Sequence, residues 1–273
     1  MIVTVDTGGT KTLVAAFTNK GEMTSHIKFP TPKNQVKYIA LLHQSFEDLK
    51  IRGKVDVFSV ALPGIIKDDI AIWCKNLGWR NFDIKKQLGP IFNGAPIIVE
   101  NDANLAGLSE ARMMKPIPQS LLYVTVSTGI GTGFITEGNI NPGMRHSEGG
   151  HALVEFDGCV REWEDFASGK AIYETYGEYA SKITSKRRWQ HIADRISRGF
   201  LAIIPIAQPD VVVIGGSMGS FFDRYEKHLV GLLEERLPPH INRPLFIQAR
   251  HPEHAVAYGG YYHAIDYLSN KKA

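Results

Sequence analysis

The sequence predicts an α/β protein of two lobes with a cleft between them, and three observations carry that expectation. A hexapeptide occurs twice, Val3-Thr4-Val5-Asp6-Thr7-Gly8 and Val124-Thr125-Val126-Ser127-Thr128-Gly129, with five of six positions identical. Each copy runs into more glycine and then into an apolar stretch, residues 13–17 and 134–136, which reads as strand, Gly/Thr turn, strand. Strand-like runs then alternate with helical patterns, the order of a mostly parallel sheet with an antiparallel first hairpin. Self-similarity of this kind constrains the whole fold, here to two similar halves.

In chain order, residues 36–50 carry Ile39, Leu42, Phe46 and Leu49 at the three-and-four spacing of an amphipathic helix. A strand over 55–62 stops at Pro63-Gly64, and a turn-rich segment through Asn76-Leu77-Gly78-Trp79 leads to a short helix at 84–88 and a strand at 97–100. A helix over 105–114 closes the first lobe. Lys115-Pro116-Ile117-Pro118 marks the boundary, giving lobes of residues 1–116 and 117–254. The second lobe is expected to hold its hairpin, a polar loop at 141–162, helices between 163 and 205, a strand at 210–214, a helix at 221–237 and a strand at 245–249. The apolar run 255–268 reads as a terminal helix within 255–273, expected to pack back on the first lobe.

Composition narrows the function classes. The chain has 273 residues, 44% hydrophobic and 22% charged, ordinary for a globular protein with two cores. A net charge of +3 is too small to argue for nucleic acid without a patch. The one cluster, Lys182, Lys186, Arg187 and Arg188, reads as a solvated helix face. Cys74 and Cys159 are far apart and form no CxxC pair, which fits a reducing cytoplasm. The N-terminus lacks the pattern of a signal peptide, and no apolar run is long enough to span a bilayer. Neither nucleic acid nor membrane is an expected partner.

A Gly/Thr turn between strands offers unhindered backbone N–H groups and hydroxyls, a concavity suited to phosphate oxygens. Two such turns are equipped to grip one polyphosphate. Neither matches a Walker A loop or a dinucleotide fingerprint, because strands rather than helices follow both. The ordinary alternative, a plain glycine hairpin, is weakened by the duplication. The single mismatch places Asp6 where the second copy has Ser127, and one carboxylate beside a phosphate turn suits the water shell of magnesium.

The densest polar cluster is Glu100-Asn101-Asp102-Ala103-Asn104, between an apolar strand and a helix. The carboxyl end of a strand is where α/β proteins bind ligands, and the helix dipole there favours a charged Asp102. Helix capping is the competing reading. A carboxylate so placed suits phosphoryl transfer to a hydroxyl, orienting the acceptor and taking its proton, and Asp102 is the candidate base. His146-Ser147-Glu148-Gly149-Gly150-His151, followed by Glu164, supplies donors and acceptors that match the vicinal hydroxyls of a sugar. The run Val211-Val212-Val213-Ile214-Gly215-Gly216-Ser217 is a buried strand whose small residues either admit an adenosine ring or simply turn the chain into a helix.

Together these residues resemble the ROK family of sugar kinases, within the actin and hexokinase ATPase superfamily, over nearly the whole chain. Asp6-Thr7-Gly8-Gly9-Thr10-Lys11 looks like its first phosphate motif, Thr128-Gly129-Ile130-Gly131-Thr132-Gly133 its second and Gly215-Gly216-Ser217 its adenosine motif. Leu62-Pro63-Gly64, Asn76-Leu77-Gly78-Trp79, Glu100-Asn101-Asp102-Ala103-Asn104, Glu148-Gly149-Gly150-His151 and Ala167-Ser168-Gly169 also match. The resemblance implies two actin/ribonuclease-H-like lobes and ATP- and magnesium-dependent phosphorylation of a hexose. It assigns Asp102 as base and puts Pro63, Gly64, Asn76, Asn101, Glu148, His151 and Glu164 around the sugar. A homodimer is the expected assembly.

One departure is large. Many family members carry a Cys-x-Cys-Gly-x-x-Gly-Cys zinc site between the Gly-His pair and the second sugar glutamate, and here that interval holds only Cys159. Structural zinc takes about four N or S ligands, so no zinc is expected. The family also includes transcriptional repressors with an N-terminal DNA-binding domain, which a chain opening at the phosphate hairpin is expected to lack. Two alternatives stay open: inorganic polyphosphate as donor, and a non-catalytic sugar sensor, against which the retention of both Asp6 and Asp102 argues.

Overall fold

Valine, isoleucine and alanine fill the central strands of the two main sheets because those strands are covered on both faces. The computed structural model describes residues 1–51, 53–89, 94–251 and 253–271. It divides into two compact units, Met1–Ser109 with His254–Ala273, and Glu110–Glu253.

The first unit opens with a meander, β1 (Ile2–Thr7), β2 (Lys11–Phe17) and β3 (Met23–Pro30). Helix α1 (Gln35–Asp48) follows, started by Asn34, whose side chain accepts the Lys37 N–H. Next come β4 (Val57–Leu62), the short strands β5 (Ile65–Lys67), β6 (Ile70–Cys74) and β7 (Trp79–Phe82), helix α2 (Ile84–Leu88), β8 (Ile97–Asn101) and helix α3 (Asp102–Met113). The main sheet runs β3-β2-β1-β4-β8, with β1, β4 and β8 parallel and β2 and β3 antiparallel. Val3, Val5, Val14, Val60 and Leu62 meet Tyr38 and Leu42 of α1 in one core layer.

The second unit repeats this plan. Strands β9 (Ser120–Val126), β10 (Ile130–Thr136) and β11 (Asn139–Ile140) form its meander. A hairpin of β12 (Leu153–Phe156) and β13 (Cys159–Glu162) precedes helices α4 (Trp163–Ala167), α5 (Gly169–Tyr176) and α6 (Lys186–Ala207). Strand β14 (Val211–Gly215), helices α7 (Gly216–Gly219) and α8 (Glu226–Arg236) and strand β15 (Leu245–Gln248) complete it. The sheet order β11-β10-β9-β14-β15 matches that of the first unit strand for strand, so the repeated hexapeptide occupies the same place, β1 and β9, in both. Trp163, Phe166, Trp189, Ile196 and Phe200 pack against Val124, Val212 and Ile214 in its core.

The last helix, α9 (Ala255–Asn270), belongs to the first unit, where Ala257, Tyr261 and Ala264 pack with Ile2, Leu13, Phe17 and Val57. Its close approach to α3 requires glycine, because a Cβ on Gly259 would lie 1.8 Å from the Leu105 carbonyl oxygen. No described helix is long and apolar enough to cross a membrane.

Four readings of local structure change. The turn-rich segment before α2 contains the antiparallel sheet β5-β6-β7, and the expected polar loop at 141–162 contains the β12–β13 hairpin. Helix α3 starts at Asp102 rather than 105, so Asp102 is itself in the first turn. The second glycine turn is only residues 127–129, since Gly131 and Gly133 lie within β10 and pair with Thr125 and Tyr123.

Two glycine substitutions test this packing. Gly259→Ala must push α9 off α3 and is expected to destabilise by about 1–3 kcal/mol. Gly231→Ala, in the exposed middle of α8 with nothing near the added methyl, should stabilise by about 1 kcal/mol. Urea denaturation of the two variants checks both signs.

Candidate active site

Parallel pairing places three motifs on one sheet edge in the first unit. The ladder sets Asp6 beside Ala61 and Ala61 beside Glu100, so β1, β4 and β8 all end at the same edge. From it leave Asp6-Thr7-Gly8, Leu62-Pro63-Gly64 and Asn101-Asp102. This is the edge where α/β sheets bind ligands.

Each motif is held by its own bonds. The Gly8 N–H donates to the Lys11 carbonyl at 2.9 Å, closing the first turn. Thr7 is buried with its hydroxyl 2.5 Å from that of Tyr38, fixing the turn to α1. Gly9 lies against Asn76, whose Cβ would be 3.3 Å from an added methyl, and Asn76 is exposed beside the turn. Gly64 has φ +83 and would drive a Cβ to 2.1 Å from the Trp73 carbonyl oxygen, so only glycine turns the chain there. Its carbonyl accepts the Asn101 side-chain N–H at 2.9 Å, while the Asn101 Oδ1 accepts the Asn104 N–H at 3.1 Å. The buried Glu100 Oε1 accepts the Asn101 N–H at 2.8 Å and the Asn104 amide at 3.0 Å. Asp102 Oδ1 accepts the Ala103 N–H at 2.9 Å at the start of α3, where the helix dipole favours its charge.

Asp6 is only partly open to solvent. Burial pushes its carboxyl up to about 7, against the opposing pull of Lys28. A carboxylate held near neutrality in this way is poised to gain charge stabilisation from a cation.

The second unit builds a matching edge from β9 and β14, parallel neighbours with Thr125 beside Gly215. The Ser127 N–H donates to the Gly129 carbonyl at 2.9 Å in the turn between β9 and β10, leaving Thr128 exposed at its tip. Gly215 is buried against the Tyr123 hydroxyl, and β14 passes directly into α7 with Ser217 exposed at the turn. Gly169, at the start of α5, would bring a Cβ to 2.8 Å from the Ser127 carbonyl oxygen and 3.4 Å from the Ser217 hydroxyl, so these three segments converge.

Strand β10, which leaves that turn, is tied to Glu148-Gly149-Gly150-His151 and to Glu164. The Gly149 N–H donates to the Thr132 hydroxyl at 3.0 Å, so this buried threonine serves the loop. The Ile130 N–H donates to Glu164 Oε2 at 3.2 Å. Burial raises the Glu148 carboxyl, Glu164 raises it further, and His151 opposes the shift. His151 Nδ1 lies 2.8 Å from Glu162 Oε2 and 3.7 Å from Glu164 Oε1.

The predicted residues thus gather in two sets. Asp6, Gly8, Gly9, Thr10, Lys11, Pro63, Gly64, Asn76, Asn101 and Asp102 belong to the first unit, with Lys11 exposed at the start of β2. Thr128, Gly129, Gly131, Thr132, Gly133, Glu148, His151, Glu164, Gly215, Gly216 and Ser217 belong to the second. Sequence reasoning missed Tyr38, Glu100 as a bracket for Asn101 and Asn104, and Glu162. Glu162 carries one signal, its place two residues before Glu164.

A sequence model described as the ROK family matches residues 2–266. A glucokinase from Halalkalibacterium halodurans is 34% identical over 168 residues, which cover 56% of this chain and 49% of that protein, about half its length. An N-acetylmannosamine kinase from Haemophilus influenzae is 28% identical over 260 residues, covering 82% of this chain and 84% of that one. Among solved structures, a ROK family glucokinase from Streptomyces griseus, in complex with glucose and AMPPNP, shares the fold with a TM-score of 0.82 at 20% identity, covering 97% of this chain and 99% of that one.

The raised Asp6 carboxyl has a sign that can be checked. Between about pH 4 and 7 the folded chain keeps a proton on Asp6 that the unfolded chain has released, so this group's contribution to stability falls as pH rises through that window. Asp6→Asn removes the effect. The variant is expected to be about 1–3 kcal/mol more stable than wild type near pH 8, the gap closing toward pH 4, by urea denaturation across that range.

Proposed function

The chain belongs to the ROK family, and on that premise we propose that it is a sugar kinase, moving the γ-phosphoryl group of ATP to a hydroxyl of glucose or a close relative such as N-acetylglucosamine, N-acetylmannosamine or fructose. The observation that carries the reading is the shared edge of β1, β4 and β8, which brings the Asp6 turn, Pro63-Gly64 and Asn101-Asp102 together. A sensor needs a sugar site but has no use for a charged phosphate turn with a base on the same edge.

In this reading Asp102 orients the acceptor hydroxyl and takes its proton as the bond to phosphorus forms. Phosphoryl transfer passes through a loose transition state, so positioning and charge neutralisation carry most of the catalysis. Asn101, fixed at both ends of its amide, and Asn76 beside the first turn are assigned to the sugar along with Pro63 and Gly64. The resemblance also assigns Glu148, His151 and Glu164 to the sugar. The backbone of residues 8–11 and 127–129, with Thr10, Lys11 and Thr128, is assigned to the phosphates, and Gly215-Gly216-Ser217 to the adenosine. The Asp6 carboxylate is an oxygen donor of the kind that fits magnesium through water, which would supply charge neutralisation on the phosphates when bound. The chain is placed in the cytoplasm, where ATP and free hexoses meet.

A coupled assay over a hexose panel tests the reading, with ATP and with inorganic polyphosphate as alternative donors. ATP-dependent turnover on at least one hexose is expected. Turnover with polyphosphate alone would replace the donor, and sugar binding without turnover from either donor would favour the sensor. Asp102→Ala is expected to lower kcat by about 10²–10⁴-fold while changing the sugar KM little.

A further inference from the structure

The zinc site that many members of the resembled family carry does not fit the residues of this chain. His151, Glu162 and Glu164 bring one imidazole and two carboxylates within 4.8 Å of one another, a set without thiolate. Cys159 is exposed on β13, where it pairs with Phe156. Structural zinc is held by about four ligands that are mostly cysteine and histidine. The His151 Nδ1, moreover, is already engaged by Glu162 at 2.8 Å.

The interval between His151 and Glu164 is instead a closed hairpin. Asp157 and Gly158 have φ of 53 and 74, the pair of positive values that a two-residue hairpin turn demands. That turn fixes the register, with Phe156 opposite Cys159 and Leu153 opposite Glu162, and the Trp163 N–H closes the base on the Ala152 carbonyl at 2.9 Å. A slip of one residue would send Glu162 to the other face. The opposite face is anchored: Phe156 stacks on Phe166 with ring centres 4.6 Å apart, and Arg161, Arg195 and Arg198 sit 5.2 to 5.8 Å from its ring. Arg198 also reaches Glu155 at 3.5 Å. The hairpin is therefore a rigid arm that delivers a carboxylate to His151.

We propose that Glu162 is a positioning residue, whose carboxylate accepts the Nδ1–H of His151 and so fixes the ring and its tautomer without a metal. Which ring nitrogen carries the proton is set by the hydrogen bond made to a neighbouring acceptor such as a carboxylate. With Nδ1–H committed to Glu162, Nε2 is an acceptor for a hydroxyl proton. Glu164 cannot take this role equally well, since its Oε1 is 3.7 Å away and its Oε2 accepts the Ile130 N–H. Assigning that hydroxyl to a sugar rests on the kinase reading, whereas the carboxylate–imidazole pair does not.

Nitrogen NMR of histidine-labelled full-length protein tests the pair, with the His151 signals identified by their loss in His151→Gln. Wild type is expected to show protonated Nδ1 and bare Nε2. Glu162→Ala should shift His151 toward the other tautomer and raise the sugar KM by about 10-fold with a smaller change in kcat. Glu162→Asp should recover part of both effects. Glu162→Leu, which keeps bulk without an acceptor, serves the same purpose should the alanine variant fold poorly. Chelation followed by restored magnesium should leave the tautomer and KM unchanged. An unchanged His151 signature in Glu162→Ala or Glu162→Leu overturns the proposal, as does loss of that signature on chelation alone. Absence of turnover on every hexose by wild type would instead overturn the kinase reading, with the NMR result still deciding the pair.

Discussion

The parallel pairing of β1, β4 and β8 is the constraint on which the rest depends. Side chains in adjacent parallel strands keep a fixed register, so once Asp6 lies beside Ala61 and Ala61 beside Glu100, three distant segments must leave the sheet together. Asp6 and Asp102 are separated by most of the first unit in sequence, yet two ladders of backbone hydrogen bonds bring their strands to one edge. The buried Glu100 then brackets Asn101 and Asn104, which makes the start of α3 a rigid platform for Asp102.

The second unit has the same topology with different side chains at its edge. Its β9 turn has Ser127 where β1 has Asp6, and its edge gathers Gly169 and Ser217 around that turn rather than carboxylates. Its charged groups come from the loop and hairpin instead: Glu148, His151, Glu162 and Glu164. Duplication thus explains the shared backbone, and the difference at one position explains why only the first turn carries a raised carboxyl.

The two halves and their sheets were legible because Val3 to Val5 and Val124 to Val126 sit in long, well-buried strands bounded by glycine. The short strands were not. In β5, β6, β12 and β13 the exposed Ile65, Ile72, Leu153 and Val160 blur the alternation that marks a half-buried strand, although Asp157-Gly158 is a hairpin signal in plain view. The start of α3 was misplaced because Asp102-Ala103-Asn104 resembles a cap. Glu162 was missed for a deeper reason: its partner is set by hairpin register, which a single sequence does not display. At Gly215-Gly216 the chain does pass from β14 into α7, with both glycines against β9.

The central claim is that the edge shared by Asp6 and Asp102 transfers phosphate rather than only binding ligand. A rapid-quench single turnover, with the sugar product followed by mass spectrometry and sugar binding followed by calorimetry, tests it most directly on wild type and Asp102→Asn. The account predicts that both proteins bind the sugar with similar affinity and that only wild type forms sugar phosphate on the time scale of its turnover. Sugar phosphate formed by Asp102→Asn at the wild-type rate would contradict it.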